Sequence, residues 1–136
     1  MIRLVLDTNV LVSALIMRGK PRELIFRIIE GKAQLFLSKS ILEEFANVAY
    51  DPKITKYVGE KDLREFLKII GSIAKLVKIR SKFKIVTHDP SDDVVLRTAF
   101  DGKVDYIVSG DEHLLSLREF RKIKIVSVSE MLDLLK

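Results

Sequence analysis

Short apolar runs alternate with amphipathic stretches along the chain. Residues 2–6, 33–37, 104–109 and 123–126 are apolar and too short for helices, so they predict strands. The first run, Ile2–Leu6, is almost wholly apolar, which indicates a strand covered on both faces. Because helical stripes separate these runs, the pattern predicts a mostly parallel α/β sheet with helices on both faces, in one domain spanning residues 1–136.

Two stretches in the middle of the chain are harder to assign. The apolar stripe over residues 63–77 recurs at helical spacing and predicts one long amphipathic helix. Residues 83–86 fit either a short strand or a loop, because charged residues surround them. The helix that follows is predicted to begin with Ser91 or Asp92 as its N-cap and to end at Gly102.

Composition and charge narrow the function classes. The chain has 24 basic and 19 acidic residues, a net charge of +5, which favours an anionic partner. Basic residues concentrate at 18–22, 75–84 and 118–124, so nucleic acid is the leading partner class. The sequence has no cysteine, which excludes thiolate ligands and disulfides and favours a cytoplasmic location. No apolar run approaches the length of a membrane span, and no membrane association is expected.

Acidic residues follow two of the predicted strands. Asp7 comes directly after the first strand and Asp111 after the third. In a parallel sheet both would open on the same edge, where α/β sheets place their ligands. Helix capping offers an alternative explanation for Asp7, but Asp7, Thr8 and Asn9 together exceed what one cap needs.

Helix periodicity adds two further acidic positions. In the third predicted helix, Glu43 lies opposite the apolar arc, whereas Glu44 lies on its border and can point along the sheet edge. The segment from Thr87 to Asp93 is the most acidic in the chain. Capping and the helix dipole explain one or two of its acids, and they explain a third less well.

Carboxylates that converge at one edge repel one another unless a cation neutralises them. Asp7, Glu44, Asp111 and either Asp92 or Asp93 would form such a group. Oxygen ligands, with only two histidines in the chain, favour Mg²⁺ or Mn²⁺ over zinc. Such an ion binds phosphate oxygens and lowers the pKa of a bound water, so the predicted reaction is hydrolysis of a phosphodiester. No serine-hydrolase, Walker A or dinucleotide motif competes with this interpretation.

Four segments together resemble the successive motifs of the PIN-domain ribonucleases: LVLDTNVLVSAL, ILEEFANVA, DPSDDVVLRTA and VDYIVSGDEHLL. The branch that they resemble most contains the VapC toxins of prokaryotic toxin–antitoxin systems. The resemblance implies a Rossmann-like α/β/α sandwich, Mg²⁺- or Mn²⁺-dependent cleavage of RNA, frequent homodimers and often an antitoxin partner. Its acidic set falls on Asp7, Glu44, Asp92 and Asp111. In this resemblance Asp93 is a helper, and Asn9 and Ser109 match the polar positions that support the first and last acids.

The resulting hypothesis is a metal-dependent endoribonuclease in which Asp7, Asp92 and Asp111 hold one or two ions. Glu44 would serve as a further ligand or as a base that orients water. Basic residues at the rim would position the RNA backbone, the candidates being Arg18, Lys20 and Arg22. Alternatives are a housekeeping RNA-processing nuclease of the same fold and a non-enzymatic RNA-binding module. A haloacid-dehalogenase-type phosphatase is disfavoured, because it needs a second Asp at the position that Asn9 holds.

Overall fold

The computed structural model describes residues 1–85 and 89–136. Strands and helices alternate along this part of the chain. The strands are β1 (Ile2–Leu6), β2 (Ala33–Ser38), β3 (Ala74–Val77), β4 (Tyr106–Val108), β5 (Glu119–Phe120) and β6 (Ile123–Val126). The helices are α1 (Thr8–Ile16), α2 (Lys20–Ile29), α3 (Lys39–Ala49), α4 (Pro52–Val58), α5 (Glu60–Ile73), α6 (Pro90–Asp101), α7 (Glu112–Leu115) and α8 (Val128–Leu134).

The strands described form one sheet in the order β3-β2-β1-β4-β6-β5. Neighbouring strands are parallel except for β5 and β6. The chain adds β2 and β3 on one side of β1 and then returns to add β4 on the other. Right-handed crossovers in these two directions place the intervening helices on opposite faces of the sheet. The predicted mostly parallel α/β sheet flanked by helices is confirmed.

The first strand occupies the centre of the sheet, as its apolar sequence predicts. β1 pairs with β2 and with β4, and Leu4, Val5 and Leu6 are fully buried in a continuous core. The direction of the chain reverses at β1, and open α/β sheets place their ligands beyond the carboxyl ends of the strands at such a point. None of the helices in the part of the chain described has the length and apolar character that crossing a bilayer requires.

The predicted long helix over residues 63–77 is wrong in its last turn. α5 ends at Ile73, and the next four residues form β3, which pairs with β2 from Ala74 opposite Leu35 to Val77 opposite Ser38. Helical spacing of the apolar positions continues past the end of α5, so periodicity alone did not reveal the change. The free edge of β2 supplies backbone partners, and this tertiary pairing decides the conformation.

The predicted N-cap of α6, Ser91 or Asp92, is also wrong. Asp89 is the N-cap: its backbone is extended and its carboxylate accepts a hydrogen bond of 3.0 Å from the Ser91 N–H. Pro90 explains the shift, because the residue before a proline avoids the helical region and proline favours the first helical position. As a result, Asp92 lies inside the first turn of α6 and is free to point inward.

Three shorter segments complete the comparison with the sequence predictions. Residues 83–85 belong to no strand, which favours the loop interpretation, and Val86 lies outside the residues described, as do Thr87 and His88 of the acidic segment. β5 and α7 were not predicted. They have two and four residues, too few to produce a periodic pattern.

Candidate active site

Asp7 leaves the sheet directly after β1 and is only 6% exposed. Its N–H donates to the Val108 carbonyl at 2.9 Å, which continues the pairing of β1 with β4. Asp7 occupies the N-cap position of α1, but its side chain makes no capping hydrogen bond. Instead its Oδ2 accepts a hydrogen bond of 2.8 Å from the Ser109 hydroxyl. Burial raises the pKa of Asp7, and the N–H groups of Thr8 and Asn9 oppose this shift. Its side-chain hydrogen bond, however, goes to Ser109, so capping alone does not account for this carboxylate.

Ser109 connects the ends of the two central strands. Its buried hydroxyl donates to Asp7 and its Oγ accepts the Asp111 N–H at 3.0 Å. The Asp111 carboxylate accepts a hydrogen bond of 2.7 Å from the His113 N–H, which makes it the N-cap of α7. One serine thus fixes the positions of the two acids that the sequence placed at equivalent strand ends.

Glu44 approaches the same edge from α3. Its carboxylate accepts a hydrogen bond of 3.3 Å from the Thr8 hydroxyl at the start of α1. Glu44 is half-buried and Glu43 is exposed, as the helix periodicity predicted. Burial raises the pKa of Glu44; the Thr8 hydrogen bond opposes this shift, while the charges of Asp7 and Asp89 add to it.

Asp92 lies on the inward side of α6 and is 3% exposed. Its Oδ2 has no hydrogen-bond partner, and among the residues described no other buried side-chain oxygen or nitrogen is left in this state. Burial raises the pKa of Asp92 to about 6, and the charges of Asp111, Asp7 and Asp89 contribute to the shift. A buried polar atom without a partner needs an explanation, and a bound cation would supply one here.

Electrostatics join these acids into one group. Burial raises the pKa of Asp7, the Ser109 hydrogen bond opposes the shift, and the charge of Asp111 adds to it. Asp92 feels the charges of both Asp7 and Asp111. Even so, no three acidic or histidine side chains within residues 1–85 and 89–136 form a ready-made metal-binding group. The acids are close enough to repel one another, but their carboxylates do not converge on a single position. Their oxygen donors are the ligand type that Mg²⁺ and Mn²⁺ prefer.

The two other predicted supporting residues differ from Ser109. Asp93, which is as buried as Asp92, accepts a hydrogen bond of 2.8 Å from the Ile85 N–H and so holds the segment before α6. Asn9 is exposed in the first turn of α1, and in the part of the chain described its side chain makes no hydrogen bond to Asp7. Support for Asp7 therefore comes from Ser109.

The three basic residues predicted to position RNA lie beyond the far end of α1, a helix of nine residues. That length separates them from Asp7 by ~14 Å along the helix. Arg22 donates to the carbonyls of Ala14 and Leu15 at 2.9 and 2.8 Å, which completes the end of α1. Lys20 donates to the Ser129 hydroxyl at 3.1 Å, whereas Arg18 is exposed and makes no hydrogen bond or ion pair in the part described.

Sequence reasoning missed two residues at the site. Thr8 orients Glu44, and Asp89 adds a negative charge that acts on both Glu44 and Asp92. Both were visible as signals, Thr8 in the run of polar residues after β1 and Asp89 as the acid that capping explained least. Neither could be placed without the geometry of α1 and α6.

Comparison with known proteins agrees with this geometry. The PIN domain family model matches residues 3–113, and the chain therefore belongs to the PIN domain family, whose members are typically nucleases. The chain is 34% identical over 123 residues to "Uncharacterized protein MJ1680" of Methanocaldococcus jannaschii, a match that covers 89% of this chain and 78% of that protein.

A solved structure shares the fold at much lower identity. It is the structure of VapBC2 from Rickettsia felis bound to a DNA fragment from their promoter. The TM-score is 0.64 with 12% identity, and the match covers 93% of this chain and 98% of that one. This likeness supports the PIN-type α/β architecture.

Proposed function

We propose that this PIN-domain chain is a metal-dependent endoribonuclease that hydrolyses RNA phosphodiester bonds. The observation that carries the proposal is the Asp92 carboxylate: it is buried, its Oδ2 has no partner among residues 1–85 and 89–136, and it lies within the fields of Asp7 and Asp111. A divalent cation would relieve this repulsion. We propose Asp7, Asp92 and Asp111 as its ligands and Glu44 as a further ligand or a base.

A divalent ion held by these carboxylates would supply Lewis-acid activation of the phosphate and of water. The chain's own residues fix the geometry. Hydrogen bonds of Ser109 fix the positions of Asp7 and Asp111 relative to each other, and the Thr8 hydroxyl orients the Glu44 carboxylate. The raised pKa of Glu44 makes it better suited than an ordinary glutamate to accept a proton near neutral pH.

The first test is cleavage of single-stranded and structured RNA by the purified protein with Mg²⁺, Mn²⁺ or EDTA. We expect cleavage that requires the metal and that Asp7→Asn abolishes. Asp62→Asn is the matched control, because Asp62 is exposed on α5 and makes no hydrogen bond or ion pair in the part of the chain described. RNA cleavage that persists in EDTA, or in Asp7→Asn, would contradict the proposal.

We further propose that the nuclease acts as a toxin and binds an antitoxin protein, as the VapC-like motifs imply. The VapC-like motifs favour this choice over a housekeeping nuclease, and the fold shared with VapBC2 is consistent with it. Expression of the wild-type chain alone in a bacterial host should arrest growth, and expression of Asp7→Asn should not. Normal growth despite metal-dependent cleavage in vitro would favour the housekeeping role.

A further inference from the structure

We propose that the segment between β3 and α6, residues 78–85, binds the phosphate backbone of single-stranded RNA through Lys78, Lys82 and Lys84. This inference rests on the proposed ribonuclease function and gives the substrate a path to the acids. It replaces the cluster of Arg18, Lys20 and Arg22 as the main contact for the RNA backbone. We refer to residues 78–85 as the basic segment.

Both ends of the basic segment are attached to elements that carry the acids. β3 ends at Val77, opposite Ser38, and Ser38 is the N-cap of α3, which carries Glu44. At the other end the Ile85 N–H donates to Asp93, the residue next to Asp92. Between these two ends the basic segment runs back along α6, from Asp101 in the last turn to Asp93 in the first, so its Lys84 end is attached next to Asp92.

Hydrogen bonds hold the backbone of the basic segment to α6. Oδ2 of Asp101 accepts from the N–H groups of Arg80 and Ser81, at 2.8 and 3.0 Å, and from the Ser81 hydroxyl at 2.8 Å. Arg97 donates through Nε to the Phe83 carbonyl at 2.9 Å. A backbone held in this way is already ordered, which lowers the entropic cost of binding.

An aromatic cluster on α6 and β5 also anchors the basic segment, at Phe83. The Phe83 ring packs against Phe100 and Phe120, with centroids 5.7 and 5.1 Å away. The guanidinium of Arg121 lies 4.6 Å from the Phe83 centroid, 4.9 Å from that of Phe100 and 5.0 Å from that of Phe120. Cation–π attraction of this kind strengthens the anchoring.

Because of this anchoring, successive side chains of the basic segment alternate between exposed and half-buried positions. The even-numbered residues are basic and exposed, and the odd-numbered residues before Ile85 are half-buried. The Cα atoms of basic residues two positions apart lie within ~7 Å of one another along the chain. Single-stranded nucleic acid carries a phosphate at every nucleotide, so closely spaced cations along a fixed backbone suit it.

The lysines of the basic segment are free to contact a ligand. Lys78, Lys82 and Lys84 form no ion pair or hydrogen bond with the residues described, in contrast to Lys20 and Arg22 at the end of α1. The observed ion pairs involve other cations: Arg27, Lys39 and Lys136. Since the site's carboxylates repel phosphate, a substrate needs unpaired cations close to them.

The test measures how salt weakens RNA binding. Binding of a short fluorescein-labelled single-stranded RNA is followed by anisotropy in the Asp7→Asn background, which prevents cleavage, at increasing KCl. The variant Lys78→Gln/Lys82→Gln/Lys84→Gln should reduce the slope of log K against log[KCl] by about 2, since each phosphate contact of a single strand contributes ~0.7. The matched control removes the same charge from other exposed lysines: Lys53→Gln/Lys56→Gln/Lys61→Gln.

Equal slopes in the triple variant and in its control would overturn the inference. Circular dichroism and thermal unfolding verify that both variants are folded. The proposed function fails separately: if the slope falls as expected but wild-type protein does not cleave RNA with Mg²⁺ or Mn²⁺, the basic segment stands and the nuclease does not. With Asp7 intact, the triple variant should raise KM and change kcat little. Lys78, Lys82 and Lys84 are proposed to contact the RNA backbone and not the metal ion.

Discussion

The two sides of the first turn of α6 offer the clearest comparison in the molecule. Asp92 and Asp93 are adjacent, and each is 3% exposed. Asp93 faces the basic segment and accepts the Ile85 N–H, whereas Asp92 faces the other acids and its Oδ2 finds no partner in the part of the chain that the structure describes. Burial alone therefore does not distinguish a structural carboxylate from a functional one; the partners do.

The difference between Asp92 and Asp93 shows where the fold keeps a destabilising buried carboxylate. An unpaired buried acceptor destabilises a protein by ~1–3 kcal/mol, and like charges nearby add to the cost. On the Asp93 side that cost is avoided by a backbone donor. On the Asp92 side the partner is missing, and strain of this kind is concentrated at functional sites.

The largest effect is expected on RNA cleavage when Asp92 is substituted. Asp92→Asn should reduce metal-dependent RNA cleavage by more than ~100-fold, because even residues that only support a metal ligand are worth 10–100-fold. It should also weaken Mn²⁺ binding in calorimetry. Asp93→Asn, which keeps an oxygen to accept the Ile85 N–H, is the control and should retain most of the activity. Equal losses in the two variants would contradict the division of roles.

A smaller effect is expected at Ser109, which gives Asp7 the hydrogen bond that Asp92 lacks. Ser109→Ala removes the link between Asp7 and the Asp111 N–H. We expect a loss of ~10–100-fold in cleavage rate or Mn²⁺ affinity, with the fold retained. Ser116→Ala, an exposed serine in the turn after α7, is the matched control. Unchanged metal affinity and rate in Ser109→Ala would show that the serine is structural only.

For stability, unlike for activity, substitution of Asp93 should cost more than substitution of Asp92. Asp93→Ala leaves the Ile85 N–H without its acceptor and should lower the free energy of unfolding by ~1–3 kcal/mol. Asp92→Ala removes a similar side chain but no hydrogen bond at Oδ2, so metal-free protein should lose less. Urea unfolding in EDTA measures both values. A greater loss in Asp92→Ala than in Asp93→Ala would mean that Asp92 has an undetected partner.

The sequence predicted the fold where patterns were long or the chemistry was strict. The apolar run of β1 predicted its central place, and parallel pairing then placed Asp7 and Asp111 on one edge. The prediction failed at residues 74–77, where a helical stripe continued into an edge strand. Pairing with β2 is a long-range interaction, and helical periodicity carries no information about it.

The candidate site shows the same limit. Helix periodicity separated Glu44 from Glu43, because only the angle around one helix was needed. It could not separate Asp92 from Asp93, since both are buried and the distinction lies in a hydrogen bond from Ile85. The resemblance chose Asp92, and the Oδ2 without a partner is an independent physical reason for the same choice.

The smallest expected effect is a pH dependence of stability that belongs to Asp92. Its pKa is about 6 in the folded protein against an ordinary value of 3.8, so between these values the folded state binds more protons than the unfolded state. Stability must then rise as the pH falls: from pH ~7.5 to ~5.5 metal-free protein should gain about 1 kcal/mol from this group. Titrating groups remote from the site cancel when wild type is compared with Asp92→Asn in EDTA. Saturating Mn²⁺ should reverse the sign, because protons compete with the ion for the carboxylate. If the difference in free energy of unfolding between wild type and Asp92→Asn does not change with pH, the pKa of Asp92 is not raised in the folded protein. The contrast with Asp93 would then have no electrostatic basis.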